Sequence, residues 1–216
     1  MVGHRELLDT LPGMSGRQAH WEDVYRQKAT DEVSWYQAEA TVSLALVDEL
    51  DVGRDVAVVD VGAGASPFLP ALHRRGFRDL TAVDLSATAL DALVAAAGAP
   101  TGLRTVVADV CTWSPPHSYG LWHDRAVLHF LVDDDARRAY LATLDAAVPD
   151  GAVIIGTFAA DGPEACSGLP VRRYGADELG ALLADGGFEV VADRRDVHTT
   201  PWGAAQPFTW VAARRP

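Results

Sequence analysis

Lysine is almost missing from this chain. Lys28 is the sole lysine among 18 basic residues, and 30 acidic residues leave a formal net charge of −12. A nucleic-acid binder needs a cationic face for phosphates, so this balance argues against that class. An acidic surface admits a small-molecule substrate or a basic protein partner and chooses neither. Cysteine is scarce as well. Cys111 and Cys166 sit in no CxxC and no Cys/His pattern, so neither a metal site nor a secreted-type disulfide framework is expected. Long apolar runs are also lacking: nothing approaches the roughly 18 residues that span a bilayer. The first residues carry His4, Arg5, Glu6 and Asp9 with no apolar run behind them, which does not read as a signal peptide. The expectation is a cytoplasmic protein without a membrane or nucleic-acid partner; its oligomeric state is open.

What is present is an ordinary globular composition, 49% apolar and 22% charged over 216 residues. Such a chain can bury a core without staples, and a single domain is expected, residues 1–50 forming an N-terminal helical lid over a core at 51–216. Residues 1–16, with Pro12 and Gly13, read as a tail or lid segment. Helices are expected over 17–28 and 37–50. From Val56 strands alternate with helices. Strands are read at 56–59, 80–83, 103–108, 119–123, 152–158, 188–192 and 208–212. Between them lie helices from Pro67 to Arg75, capped by Ser66, and over 87–97, 133–147 and 176–185. This alternation predicts an α/β fold with a Rossmann-like, mostly parallel seven-stranded sheet and helices on both faces. The last two strands have no helix between them, so the final strand is expected to be antiparallel.

In such a sheet ligands bind beyond the carboxyl ends of the strands. The first four strands here end near aspartates: Asp60, Asp84, Asp109 and Asp124. The first is followed by Val61-Gly62-Ala63-Gly64-Ala65-Ser66, a glycine loop that permits a tight turn and close backbone approach. A dinucleotide fingerprint needs a third glycine, and Pro67 stands there, so an adenosine without phosphates suits the loop better than NAD.

The segments V-V-D-V-G-A-G-A-S, A-V-D-L-S and V-V-A-D-V resemble, in order and spacing, the first three motifs of class I S-adenosylmethionine-dependent methyltransferases. The resemblance implies that S-adenosyl-L-methionine is the cofactor. Gly62, Ala63 and Gly64 would then approach its methionine part and Asp60 its amino group. Asp84 with Leu85 would take the ribose, Asp109 with Val110 the adenine, and Asp124 would also lie on the cofactor side. Ser66, where many members have glycine, departs from the pattern. The flanks His20-Trp21-Glu22-Asp23-Val24-Tyr25, Ser34-Trp35-Tyr36 and Trp122-His123-Asp124-Arg125-Ala126-Val127-Leu128 resemble the thiopurine methyltransferase-like branch, whose aromatic lid closes over the cofactor. Trp21, Tyr25 and Trp35 are therefore expected against the sulfonium, which aromatic faces attract as a cation.

Methyl transfer needs a base only when the nucleophile carries a proton at working pH. Asp124 and His129 are the candidate catalytic residues. Tyr36, Arg125, His129, Phe130, Cys166 and His198 are the candidate substrate contacts, Arg125 for an anionic group. Trp202 is a further candidate for the same pocket. The expected activity is methylation of a small-molecule acceptor, with a thiol or another soft nucleophile favoured by the narrower resemblance. Protein-lysine methylation, an NAD-linked Rossmann oxidoreductase and a cofactor-binding protein without turnover are the competing readings.

Overall fold

The structure is a computed structural model that describes residues 16–216. The tail expected at 1–16 therefore lies, apart from Gly16, outside the described residues. Helices α1 (Gly16–Gln27) and α2 (Thr41–Glu49) precede the sheet, joined by a stretch with a short 3-10 turn at Thr30–Glu32. Strand β1 (Ala57–Val61), helix α3 (Phe68–Arg74), β2 (Asp79–Asp84), α4 (Ala87–Ala97) and β3 (Leu103–Val107) follow. Then come β4 (Leu121–Arg125), a 3-10 turn at Leu128–Phe130, α5 (Asp134–Ala147) and β5 (Ala152–Phe158). A two-residue-stranded hairpin, β6 (Ala165–Cys166) and β7 (Leu169–Pro170), leads to α6 (Ala176–Asp185), β8 (Glu189–Thr199) and β9 (Ala205–Arg214).

The seven-stranded sheet has the order β3-β2-β1-β4-β5-β9-β8. Its strands are parallel except β9, which runs against both β5 and β8. This is the expected Rossmann-like sheet with an antiparallel last strand. The order reverses between β1 and β4, which opens the crevice where this class of sheet binds ligands. The final hairpin is longer than expected, because β8 continues to Thr199 on a half-exposed edge whose residues lack a strong apolar alternation.

Side chains alternate across the pleat. Val58, Leu80, Ala82, Leu121 and Ile154 face α2 and α3, packing with Leu46, Leu50, Phe68 and Leu72. Val59, Val61, Val83, Trp122, Val153 and Ile155 face α5 and α6, packing with Tyr140, Leu144, Leu179 and Leu183. Both faces are covered, as a parallel sheet requires.

Local signals hold where a cap or turn dictates them. The Ser86 hydroxyl accepts the Ala89 amide at 3.1 Å and Gly98 closes α4 at φ 72°, the left-handed position that favours glycine. At α3 the regular helix starts one residue later than expected, at Phe68, while Ser66 still accepts the Phe68 amide at 3.2 Å. Helix α1 has little apolar surface to bury. It is tied down by Glu22, which accepts from the hydroxyls of Ser86 (2.7 Å) and Thr88 (2.6 Å) at the start of α4.

Candidate active site

The glycine loop leaves β1 with Gly62 at φ 61° and Gly64 at φ 52°. A Cβ on Gly62 would meet Val127, and one on Gly64 the Tyr25 hydroxyl. Both glycines are thus required by backbone conformation and by what packs on them. The Gly64 amide donates to Asp84 Oδ2 at 2.8 Å and the Ser86 amide to Oδ1 at 2.9 Å. Burial nevertheless pushes the Asp84 carboxyl up to about 6, aided by the nearby Asp60 charge and opposed by those two amides.

Asp60 and His123 are register partners on β1 and β4. His123 Nδ1 lies 2.7 Å from Asp60 Oδ1 and its Nε2 lies 2.8 Å from Ser43 Oγ, with the ring stacked on Phe68 at 3.9 Å. A carboxylate only accepts, so Nδ1 donates to it. The other oxygen, Asp60 Oδ2, is buried with no partner among the described residues.

Two adjoining clefts open at the carboxyl ends of these strands. The larger, about 800 Å³, is lined at one end by Asp84, Leu85, Asp109 and Val110, and at the other by Trp21, Trp35, Phe130, Leu131 and Cys166. The second, about 480 Å³, is lined by Asp60, Gly62, Ala63, Ser66, Tyr36 and Gln37. Tyr25, Trp35, Gly62 and Arg125 border both. The aromatic wall is an edge-on cluster: Trp21 meets Trp35 at 5.6 Å and Phe130 at 5.0 Å between ring centroids. The Trp35 indole donates to the Tyr25 hydroxyl at 3.1 Å. Cys166 reaches the cleft through the β6–β7 hairpin, whose turn is Ser167 and Gly168, both at positive φ. Burial pushes its thiol up, so it stays protonated.

The clefts thus bring together Trp21, Tyr25, Trp35, Tyr36, Asp60, Gly62, Ala63, Asp84, Leu85, Asp109, Val110, Arg125, Phe130 and Cys166. Gly64 serves through its amide. Asp124 and His129 lie elsewhere, which corrects their expected place in the site. Asp124 pairs in register with Val61, so it points to the sheet face opposite Asp60. Fully buried there, it accepts from the Val127 amide (2.8 Å), the Leu128 amide (3.0 Å) and the Tyr140 hydroxyl (2.6 Å). His129 is 0% exposed. Its ring packs against Phe130 and Phe158, and its Nδ1 accepts the Phe158 amide at 3.3 Å. Burial first, then Arg125, push its pKa down to about 3. A ring that weakly basic and that enclosed is no general base. His198 donates from Nε2 to the Ser34 carbonyl at 2.7 Å, tying β8 to the segment that presents Trp35. Trp202 is 62% exposed at the β8–β9 turn.

Arg17 escaped the sequence reading. It pairs with Asp109 at 2.9 Å across the cleft, and nothing in the polar residues around it signals that partner. Val127 and Leu131 were also missed; the Asp124 turn folds them into the wall. Ala126, at φ 73°, holds the strained backbone just before Val127. Among the described residues no group of three or more His, Cys, Asp or Glu side chains is placed to hold a metal ion, and no helix is long and apolar enough to cross a membrane.

The family model described as a methyltransferase domain matches residues 58–151. Among solved structures, the 1,6-didemethyltoxoflavin-N1-methyltransferase of Burkholderia thailandensis, bound to 1,6-didemethyltoxoflavin and S-adenosylhomocysteine, is 26% identical. Its match covers 89% of this chain and 81% of that one, with a TM-score of 0.65. An S-adenosylmethionine-dependent methyltransferase from Anabaena variabilis is 14% identical over 93% of this chain and 95% of that one, with a TM-score of 0.73. The N-methyltransferase NodS from Bradyrhizobium japonicum, solved with S-adenosylhomocysteine, is 15% identical over 90% and 98%, with a TM-score of 0.68. The last two share the fold. A search of curated protein sequences finds no match. With three cofactor motifs in order, a crevice at the switch point and a methyltransferase domain matched over residues 58–151, the chain carries a methyltransferase domain on the fold of S-adenosylmethionine-dependent methyltransferases.

Proposed function

We propose that the protein methylates a small-molecule acceptor whose nucleophilic atom needs no help from a protein base. The observation that carries this reading is the larger cleft itself. It joins a carboxylate-lined end to an aromatic end beside Gly62 and offers no free base between them. Of the titratable groups on the apolar side, the Cys166 thiol and the Tyr25 hydroxyl are pushed up by burial; the His129 imidazole, behind the wall, is pushed down. Among the described residues an alcohol at the aromatic end would find no base beside it. A thiol, which ionises at a pH of about 8.5, supplies some thiolate without a base.

The residues present fit the cofactor. Asp84 and Asp109 can accept from ribose hydroxyls and an adenine amino group, with Leu85 and Val110 against the adenosine. Gly62, Ala63 and Asp60 would take the methionine part, where the unpartnered Asp60 Oδ2 suits an ammonium. Trp21, Tyr25 and Trp35 would cover the sulfonium. When bound, S-adenosylmethionine supplies a methyl group on a positively charged sulfur. The protein's share is position and exclusion of water: the aromatic cluster closes the apolar end, and Tyr36, Phe130 and Cys166 shape the acceptor's approach. Residues 51–216 act as one catalytic domain, with the helical segment before them as its cover.

Two other acceptors differ in what favours them. The 26%-identical relative is an N1-methyltransferase of a small molecule, which supports nitrogen as a second accepting atom. A lysine side chain would have to approach Arg125 within an enclosed apolar end, an electrostatic disadvantage. The test is calorimetric titration with S-adenosylmethionine, S-adenosylhomocysteine and NAD, followed by transfer of labelled methyl to thiols, ring amines, alcohols and lysate proteins. Binding of the first two and transfer to thiols or ring amines is expected. Binding of NAD alone, or labelling confined to alcohols or to protein, would overturn the proposal.

A further inference from the structure

We propose that the methyl acceptor carries a carboxylate, or a similarly planar oxyanion, that seats on Arg125. This rests on the preceding assignment of the aromatic end of the cleft to the acceptor. Arg125 ends β4 and borders both clefts. Its Nη1 donates to the Trp35 carbonyl at 2.9 Å, and the guanidinium lies over the Phe208 ring at 5.1 Å. These two contacts fix the plane of the group. The opposite edge, Nε and Nη2, is buried and has no partner among the described residues. That edge is the side-on fork that a carboxylate engages with two parallel hydrogen bonds.

The described residues supply no counter-ion at contact distance. Among the described residues no carboxylate forms an ion pair with Arg125; Asp196 and Asp60 act on it only at longer range. The other groups whose charges couple to it are Tyr25, Cys166, His129 and His198, and each is held neutral by burial. The guanidinium itself keeps its charge at neutral pH, although burial pushes it down to about 10. A buried cation with a bare fork is costly until an anion arrives.

The cofactor's own carboxylate has another place to go. The second cleft is lined by Thr30, Gln37 and Ser66, whose hydroxyl and amide groups can donate to it. Around Arg125, by contrast, the larger cleft is walled by Trp21, Trp35 and Phe130. The acceptor is therefore an organic anion with an apolar body. The anion is its anchor and not the accepting atom, because pairing with a guanidinium withdraws the lone pairs it would need.

The test uses benzoate as the probe and benzamide as its neutral counterpart. Each is titrated calorimetrically into the full-length protein saturated with S-adenosylhomocysteine, for wild type, R125K and R125Q. Wild type is expected to bind benzoate in preference to benzamide. R125Q, shown to be folded by its thermal transition, should lose benzoate affinity by about tenfold or more, with R125K intermediate. Equal binding of benzoate and benzamide, no binding of either, or benzoate binding untouched in R125Q would overturn the proposal. So would a loss of S-adenosylhomocysteine affinity in R125Q matching the loss of benzoate, since the guanidinium would then serve the cofactor. Failure of wild type to bind S-adenosylhomocysteine at all would instead overturn the cofactor seat, and this anchor with it.

Discussion

Asp84 and Asp124 are the same side chain, both buried and both pushed up to about 6, yet they do different work. Strand parity separates them. Asp84 stands on the face of Asp60 and borders the cleft, while Asp124 turns to the opposite face and holds two amides and the Tyr140 hydroxyl. The unprotonated Asp84 is the form that accepts from ribose hydroxyls. S-adenosylhomocysteine affinity is therefore expected to fall as pH drops through about 6. Asp84→Asn should weaken binding by about tenfold or more, given roughly 1.5–3 kcal/mol for a charged hydrogen bond, and should flatten that pH dependence. Isothermal titration between pH 5 and 8 reads both; an unchanged profile in the variant would assign the titration to another group. Asp124→Ala strands three buried donors. It is expected to cost about 3 kcal/mol or more of stability by urea unfolding, with any cofactor affinity that survives folding close to wild type. At this scale the identity of the aspartates was legible from sequence. The side to which each points was not, because it depends on register against a strand sixty residues away.

Helix α1 is held by polar contacts that periodicity does not reveal. Its Glu22 is buried, and hydrogen bonds from Thr88 and Ser86 hold the carboxyl below the usual range against the opposing effect of burial. Glu22→Ala should detach the helix from α4 at a cost of about 1–3 kcal/mol. Hydrogen exchange over Gly16–Gln27 would quicken and S-adenosylhomocysteine affinity would fall, because Arg17, Trp21 and Tyr25 ride on the same helix. The β8–β9 turn gives the opposite expectation. Trp202 lies exposed there, so Trp202→Ala should change stability by less than about 0.5 kcal/mol and leave cofactor affinity unchanged in the same titrations. The β6–β7 hairpin is intermediate: a long loop after the fifth strand was readable as functional, but only the pairing of Ala165 with Pro170 carries Cys166 to the cleft.

Across the whole molecule, the clefts are assembled from segments spread between Arg17 and Cys166, with walls from α1, the glycine loop, the ends of β2 and β4 and the β6–β7 hairpin. A ligand bridging these walls should stabilise the fold as a unit. At a hundredfold excess over its dissociation constant, S-adenosylhomocysteine is expected to add about 2.7 kcal/mol, or roughly 5–10 °C in Tm for a chain of this size. Differential scanning fluorimetry would read this, and no shift at saturation would mean that the ligand does not bridge them.

The sequence by itself determined the order of strands and helices, the antiparallel last strand, the glycine turn at Gly62 and Gly64 and the cofactor class. These follow from short-range rules: apolar periodicity, caps, left-handed positions and closely spaced motifs. Only the tertiary structure decided that Asp60 is held by His123, itself held by Ser43, that Arg17 meets Asp109, that Asp124 and His129 belong to the core, and that Arg125 has an edge without a partner among the described residues. Each of these depends on which face of a strand meets which helix, and so on contacts between residues far apart in the chain.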